Sequence, residues 1–255
     1  MAEMRVGFLG DGHISGVLRD AVEQTRPHLV VGTFGRDDLI PDGLDVVVEA
    51  ATQQAVRERV PGLLAGGVDV ILLSVGAMAD ATLRTTLLAG PGQLIACTGA
   101  IGGLDQVRAL RAAGPLREVT LESRKLPATL VQPWMADELQ ERLRRGTEEI
   151  VLAEGLAADV ARQFPTSANV AASLALAADA WDTATARVIA DPTATHTRHE
   201  VFAAGDLGEV RAVVVNAPSP DRPRSSAIVA WAALRALDDY ARMRGFATPE
   251  GVVFL

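Results

Sequence analysis

The first residues able to do chemistry are backbone rather than side chain. A short apolar run, Val6 to Leu9, enters Gly10-Asp11-Gly12-His13-Ile14-Ser15, a G-x-G-x-x-S turn at the mouth of an expected helix. Unpaired N–H groups and the helix dipole at such a place suit a dinucleotide pyrophosphate. Gly10 permits the tight turn and Gly12 the close approach of phosphate, while His13 and Ile14 would meet the cofactor from the first helical turn. The carboxylate that usually takes the ribose 2′-hydroxyl is expected about 20 residues further on, where Gly35 stands. Arg36 follows, and a guanidinium beside an uncharged residue suits a 2′-phosphate, so NADP is expected to bind at least as well as NAD. Asp37 and Asp38 keep NAD open.

Further along, small residues stand at the ends of expected strands: Ala50 and Ala51, Ser74 and Gly76, and Ala100. In an open α/β sheet that edge receives the ligand, and small residues there leave room for ribose and nicotinamide. The basic residues are 23 Arg and one Lys, so Lys125 stands out as a place where a compact ammonium is wanted. His196 and His199 form an H-x-x-H pair, but no neighbouring Cys or carboxylate set completes a zinc shell, and no metal is expected. His28, beside Pro27, reads as a loop residue.

These groups need a scaffold. Strands are expected at Arg5–Leu9, Leu29–Phe34, Asp45–Glu49, Asp69–Ser74, Leu94–Thr98 and Glu118–Glu122, alternating with helices at Ile14–Gln24, Gln53–Leu64, Ala79–Leu88 and Leu104–Ala112. Runs such as Val46-Val47-Val48 and Val70-Ile71-Leu72-Leu73 imply strands buried on both faces, as in a parallel sheet covered by helices. The expected fold is therefore α/β, a Rossmann-type dinucleotide-binding domain over residues 1–122. Residues 123–223 read as an α+β substrate and dimerisation domain, with helices at Ala136–Arg145 and Ala168–Ala180 and strands at Thr185–Ala190, Glu200–Ala204 and Val210–Asn216. Prolines 218, 220 and 223 precede a helix at Ser225–Arg242, and the segment 224–255 is expected to pack back on the first domain.

Composition excludes several classes. The net charge of −8 disfavours nucleic acid and anionic membrane surfaces. One cysteine, Cys97, allows no intrachain disulfide, and the N-terminus lacks a signal-peptide apolar core, so a cytoplasmic location is expected. The apolar stretch Ala168–Trp181 is too short to span a bilayer.

Taken in order, several blocks resemble the L-aspartate dehydrogenase family: Gly10–Ser15, Val48–Thr52, Leu73–Asp80, Thr98–Asp105 (T-G-A-I-G-G-L-D) and Ser123–Pro127 (S-R-K-L-P). The resemblance continues through Phe164–Ala171, Ala190-Asp191-Pro192, Arg198–Val201 and Asn216–Pro220. It implies NAD(P)-dependent oxidative deamination of L-aspartate to iminoaspartate, which hydrolyses to oxaloacetate and ammonia or passes to quinolinate synthesis, in a homodimer. It also implies that His199 is the catalytic acid–base group, in keeping with an imidazole that exchanges protons near neutral pH. His196 is its rival. Lys125, Arg124 and Asn169, the last at a helix start, are the candidates for gripping the substrate carboxylates. Ser15, His13, Gly35 and Thr197 depart from the family pattern. Another amino or imino acid as substrate, or a catalytically silent NADP-binding regulator, are the alternatives.

Overall fold

The computed structural model describes residues 3–25, 30–165, 168–246 and 251–253, and divides the chain into two compact units. Unit 1 comprises residues 1–99 and 229–255, unit 2 residues 100–228. His28, Thr166, Ser167 and residues 247–250 and 254–255 of the expected C-terminal segment lie outside the described residues.

Unit 1 is built on β1 (Val6–Leu9), α1 (His13–Thr25), β2 (Val30–Phe34), β3 (Val46–Glu49), α2 (Gln53–Ala65), β4 (Asp69–Leu72), α3 (Ala81–Leu87) and β5 (Leu94–Ala96). The five strands form one parallel sheet in the order β2-β1-β3-β4-β5. Strands β1, β3 and β4 are buried at every position, as expected for a sheet covered on both sides. Thr52 caps α2 by accepting the Ala55 N–H at 3.1 Å, and Asp80 caps α3 by accepting from Thr82 and Leu83. A 3-10 turn, Val75–Ala79, precedes α3 and shortens the helix expected from Ala79.

The C-terminal helix of this unit, at Ile228–Met243, contributes Ala230, Ala233, Leu237, Tyr240 and Ala241 to the core around Phe8, Leu18 and Val46. Its Tyr240 hydroxyl donates to the Asp69 carboxylate at 3.0 Å, which also accepts the Gln93 N–H at 2.7 Å. A buried aspartate at the start of β4 is thereby satisfied.

Unit 2 contains α4 (Leu104–Ala113), β6 (Glu118–Lys125), α5 (Asp137–Arg145), β7 (Ile150–Leu156), α6 (Ala157–Gln163), α7 (Asn169–Ala178), β8 (Thr185–Ala190), β9 (Thr197–Gly205) and β10 (Gly208–Asn216), so that the C-terminal helix is α8. Its sheet runs β10-β9-β6-β8-β7, antiparallel except for the β6/β8 pair. Helices α4, α6 and α7 pack against it and one another.

The expected sixth strand of the βαβ series is β6, and it belongs to this second sheet. Its hydrogen bonds go to β8 and β9, and α4 packs on α7, so the cut falls after Gly99 rather than after residue 122. Edge strand β7 and helix α6 were not legible as separate elements, because β7 breaks register with β8 between Val151 and Ala153 and its apolar alternation is incomplete.

Candidate active site

In unit 1 the glycine turn is tied down by its backbone: the Gly10 N–H donates to the Phe34 carbonyl at 2.8 Å and the Ala50 N–H to the Leu9 carbonyl at 2.9 Å. Gly10 has φ +112°, and a Cβ there would lie 2.9 Å from the Ala50 carbonyl and the Ala51 backbone. Only glycine fits that position. Gly12 is the opposite case. A Cβ on it would meet nothing within 4 Å, so the glycine leaves open space in front of the α1 N-terminus. A pyrophosphate fits such a cradle, with His13 and Ile14, both half-buried, in the first helical turn. Ser15 is buried on α1, as are Leu18 and Val22, and among the described residues its hydroxyl has no hydrogen-bond partner.

At the neighbouring strand ends, Glu49 is the residue that sequence reasoning passed over. Its buried carboxylate accepts the Ser74 N–H and the Ser74 hydroxyl, each at 2.8 Å, and the Ala51 N–H at 2.9 Å. Burial pushes its pKa up against these donors. Glu49 thus braces the ends of β3 and β4. The Ser74 hydroxyl, expected to face the cofactor, spends its proton on this brace, while Ala50 and Ala51 are half-buried and Gly76 lies buried in the 3-10 turn.

Beyond β2, Arg59 of α2 donates to the carbonyls of Gly35, Arg36 and Asp38. The Arg36 guanidinium is exposed and 3.8 Å from the Glu58 carboxylate.

In unit 2, strict alternation along β6 buries Val119, Leu121, Ser123 and Lys125, and along β9 it buries Thr197, His199, Val201 and Ala203. Ser123 stands directly opposite His199 in the antiparallel register, and its Oγ lies 2.8 Å from His199 Nδ1. Two polar side chains on a buried sheet face therefore satisfy each other. Burial, reinforced by the positive charge of Lys125, pulls the His199 imidazole down to about 3. Burial alone brings Lys125 down to about 8.

The loop before α4 borders the same face: Gly102 and Gly103 approach Val214 and Ala212, the register partners of His199 and Val201. Ala100 also belongs to this unit, where its carbonyl accepts the Asn216 side-chain amide at 2.8 Å.

Arg124 departs from expectation. Adjacent residues on a strand point to opposite faces, so Arg124 cannot share a face with Lys125. Its guanidinium donates to Glu122 at 2.7 Å and Glu149 at 2.6 Å and lies 3.6 Å from Asp191. These carboxylates engage the charge on the sheet face opposite Lys125. Asn169 opens α7, and its carbonyl accepts the Ser173 hydroxyl at 3.3 Å. His196 is exposed, next to the Thr195 hydroxyl at 3.0 Å, away from the buried face that holds His199. Among the described residues no group of three His, Cys, Asp or Glu side chains is placed to hold a metal ion, and no helix is long and apolar enough to cross a membrane.

Comparison with known proteins bears on both units. A family model described as aspartate dehydrogenase, C-terminal, matches residues 105–240, and one described as homoserine dehydrogenase, NAD binding domain, matches residues 6–90. The L-aspartate dehydrogenase of Methanosarcina acetivorans is 38% identical over 76% of this chain and 73% of its own length. L-aspartate dehydrogenase 2 of Bordetella pertussis is 36% identical over 91% of this chain and 95% of its own. The crystal structure of an aspartate dehydrogenase from Thermotoga maritima, 22% identical, has the same fold with a TM-score of 0.72, covering 98% of this chain and 100% of that one.

Proposed function

This chain belongs to the L-aspartate dehydrogenase family, and from that membership we propose that it catalyses the reversible NAD(P)-dependent oxidative deamination of L-aspartate. Iminoaspartate forms first, and water converts it to oxaloacetate and ammonia. The observation that carries the reading at the residue level is the buried Ser123–His199 pair beside Lys125.

Unit 1 holds the dinucleotide through Gly10, Gly12 and the first turn of α1, with Ala50, Ala51 and Gly76 lining the strand ends. Once bound, the nicotinamide supplies the acceptor for the hydride from aspartate Cα. The rest of the chemistry is proton transfer. With Nδ1–H donated to Ser123 Oγ, the His199 lone pair is on Nε2, which takes a proton from the substrate amine as the C–H bond breaks. Once that proton has passed to solvent, the same atom takes a proton from the water that adds to the imine and gives it to the departing ammonia.

An imidazole held near 3 is a weak base in the free protein. A dicarboxylate substrate offsets the smaller, Lys125 part of this shift and, by its own negative charge, favours the imidazolium against the burial that is the main cause. Lys125, charged below about pH 8, grips a substrate carboxylate, and Asn169 is the candidate for the other. We also propose a cytoplasmic homodimer, in line with the single cysteine and with the family resemblance. Sedimentation tests the dimer.

A screen of 2-oxo acids with ammonia and either reduced cofactor tests the activity. Oxaloacetate is expected to be reduced fastest. Faster turnover of another 2-oxo acid moves the substrate, and none at all with any of them leaves a nucleotide-binding regulator.

A further inference from the structure

The end of β2 holds a carboxylate that its own sequence position lacks. The residue after Phe34 is Gly35, so the acid that commonly reads the ribose 2′-hydroxyl is missing from the strand end. The space is nevertheless filled with negative charge. Asp38 folds back so that its Oδ2 accepts the Gly35 N–H at 2.7 Å, and the same oxygen would lie 3.2 Å from a Cβ built on Gly35.

The turn that brings it there is built. Arg59 reaches from α2 to the carbonyls of residues 35, 36 and 38, at 3.2 Å for Gly35 and 2.6 Å for Asp38. The phosphate turn is joined to the same strand end through the bond from Gly10 N–H to the Phe34 carbonyl. Arg36, the group suited to a 2′-phosphate, instead has the Glu58 carboxylate 3.8 Å away, and Glu58 is itself held by Gln54 at 2.6 Å. Asp37 and Asp38 flank it in sequence.

We propose that Asp38 is the specificity-determining residue for the cofactor, its carboxylate accepting the adenosine ribose 2′-hydroxyl from the place a residue-35 side chain would take, so that NAD binds more tightly than NADP. A 2′-phosphate would face the same carboxylate and be repelled, with Arg36 only partly compensating. This reverses the preference expected from Gly35 and Arg36 alone. It rests on the reading that the Gly10–Ser15 turn binds a nicotinamide dinucleotide.

The test is a titration of intrinsic fluorescence with NADH and NADPH, which reads binding without turnover. In Asp38→Asn the side-chain oxygen that caps Gly35 is kept and the charge removed. The wild type is expected to bind NADH at least tenfold more tightly than NADPH, and Asp38→Asn to cut that ratio tenfold or more. A second variant moves the charge. Asp38→Ala should lose the preference, and Gly35→Asp in that background should restore it. An unchanged ratio in Asp38→Asn, or a wild type that favours NADPH, overturns the proposal while leaving the dinucleotide reading intact. A wild type that binds neither cofactor overturns both.

Discussion

Replacing Lys125 with Met should make the protein more stable and the enzyme worse. The ammonium sits on the buried face of the second sheet, and burial brings its pKa from 10.5 to about 8. A cation whose folded pKa lies below its unfolded value costs stability in full below the folded pKa, and the cost fades as pH rises towards the unfolded one. At about 1.4 kcal/mol per tenfold change, that fall corresponds to roughly 3 kcal/mol at pH 7 and to less than about 1 kcal/mol near pH 10. Met fills a similar volume without the charge. Lys125 also has partners in the fold, and losing them subtracts from the gain, so the net increase at pH 7 is expected at about 1–3 kcal/mol. Urea unfolding at pH 7 and pH 10 measures it, together with the KM for aspartate, which should rise at least tenfold. A Lys125→Met protein less stable than wild type at pH 7, or a difference that does not shrink by pH 10, would refute the reasoning.

His199→Ala should lower turnover by about 10²–10⁴ while leaving cofactor titrations nearly unchanged, whereas His196→Ala should do far less. Gly12→Val should fold normally, since its side chain enters open space, yet lose cofactor affinity in the same fluorescence titration. Ser123→Ala should lower kcat and change the tautomer of His199, which nitrogen NMR reads, and Ser123→Thr should restore both. A loss of thermal stability with unchanged pH profile and tautomer would make Ser123 structural only.

Much of unit 1 was legible because its signals are local. Apolar runs buried on both faces mark β1, β3 and β4, and Gly10 and Gly12 mark the turn. Unit 2 was harder, since its candidate site is assembled by register across strands distant in sequence. Ser123 and His199 are 76 residues apart, and no local pattern pairs them. The period of two along β6 does carry one fact that adjacency hides: Arg124 and Lys125 face opposite ways, so only one of them can lie beside His199. Asp38 was visible as a nearby acid, but its return to Gly35 depends on Arg59, whose side chain reaches back 24 residues to the Gly35 carbonyl.

The most direct measurement uses L-aspartate deuterated at C2 with the oxidised cofactor and the wild-type protein, followed by mass and NMR analysis of the products. Deuterium should appear at C4 of the reduced nicotinamide, with oxaloacetate and ammonia formed in equal amounts, and none of it should form in His199→Ala at more than about a hundredth of the wild-type rate. Reduced cofactor without deuterium, or no reduction with aspartate at any pH between 6 and ~10, would contradict the assignment of this chain as an aspartate dehydrogenase working through His199.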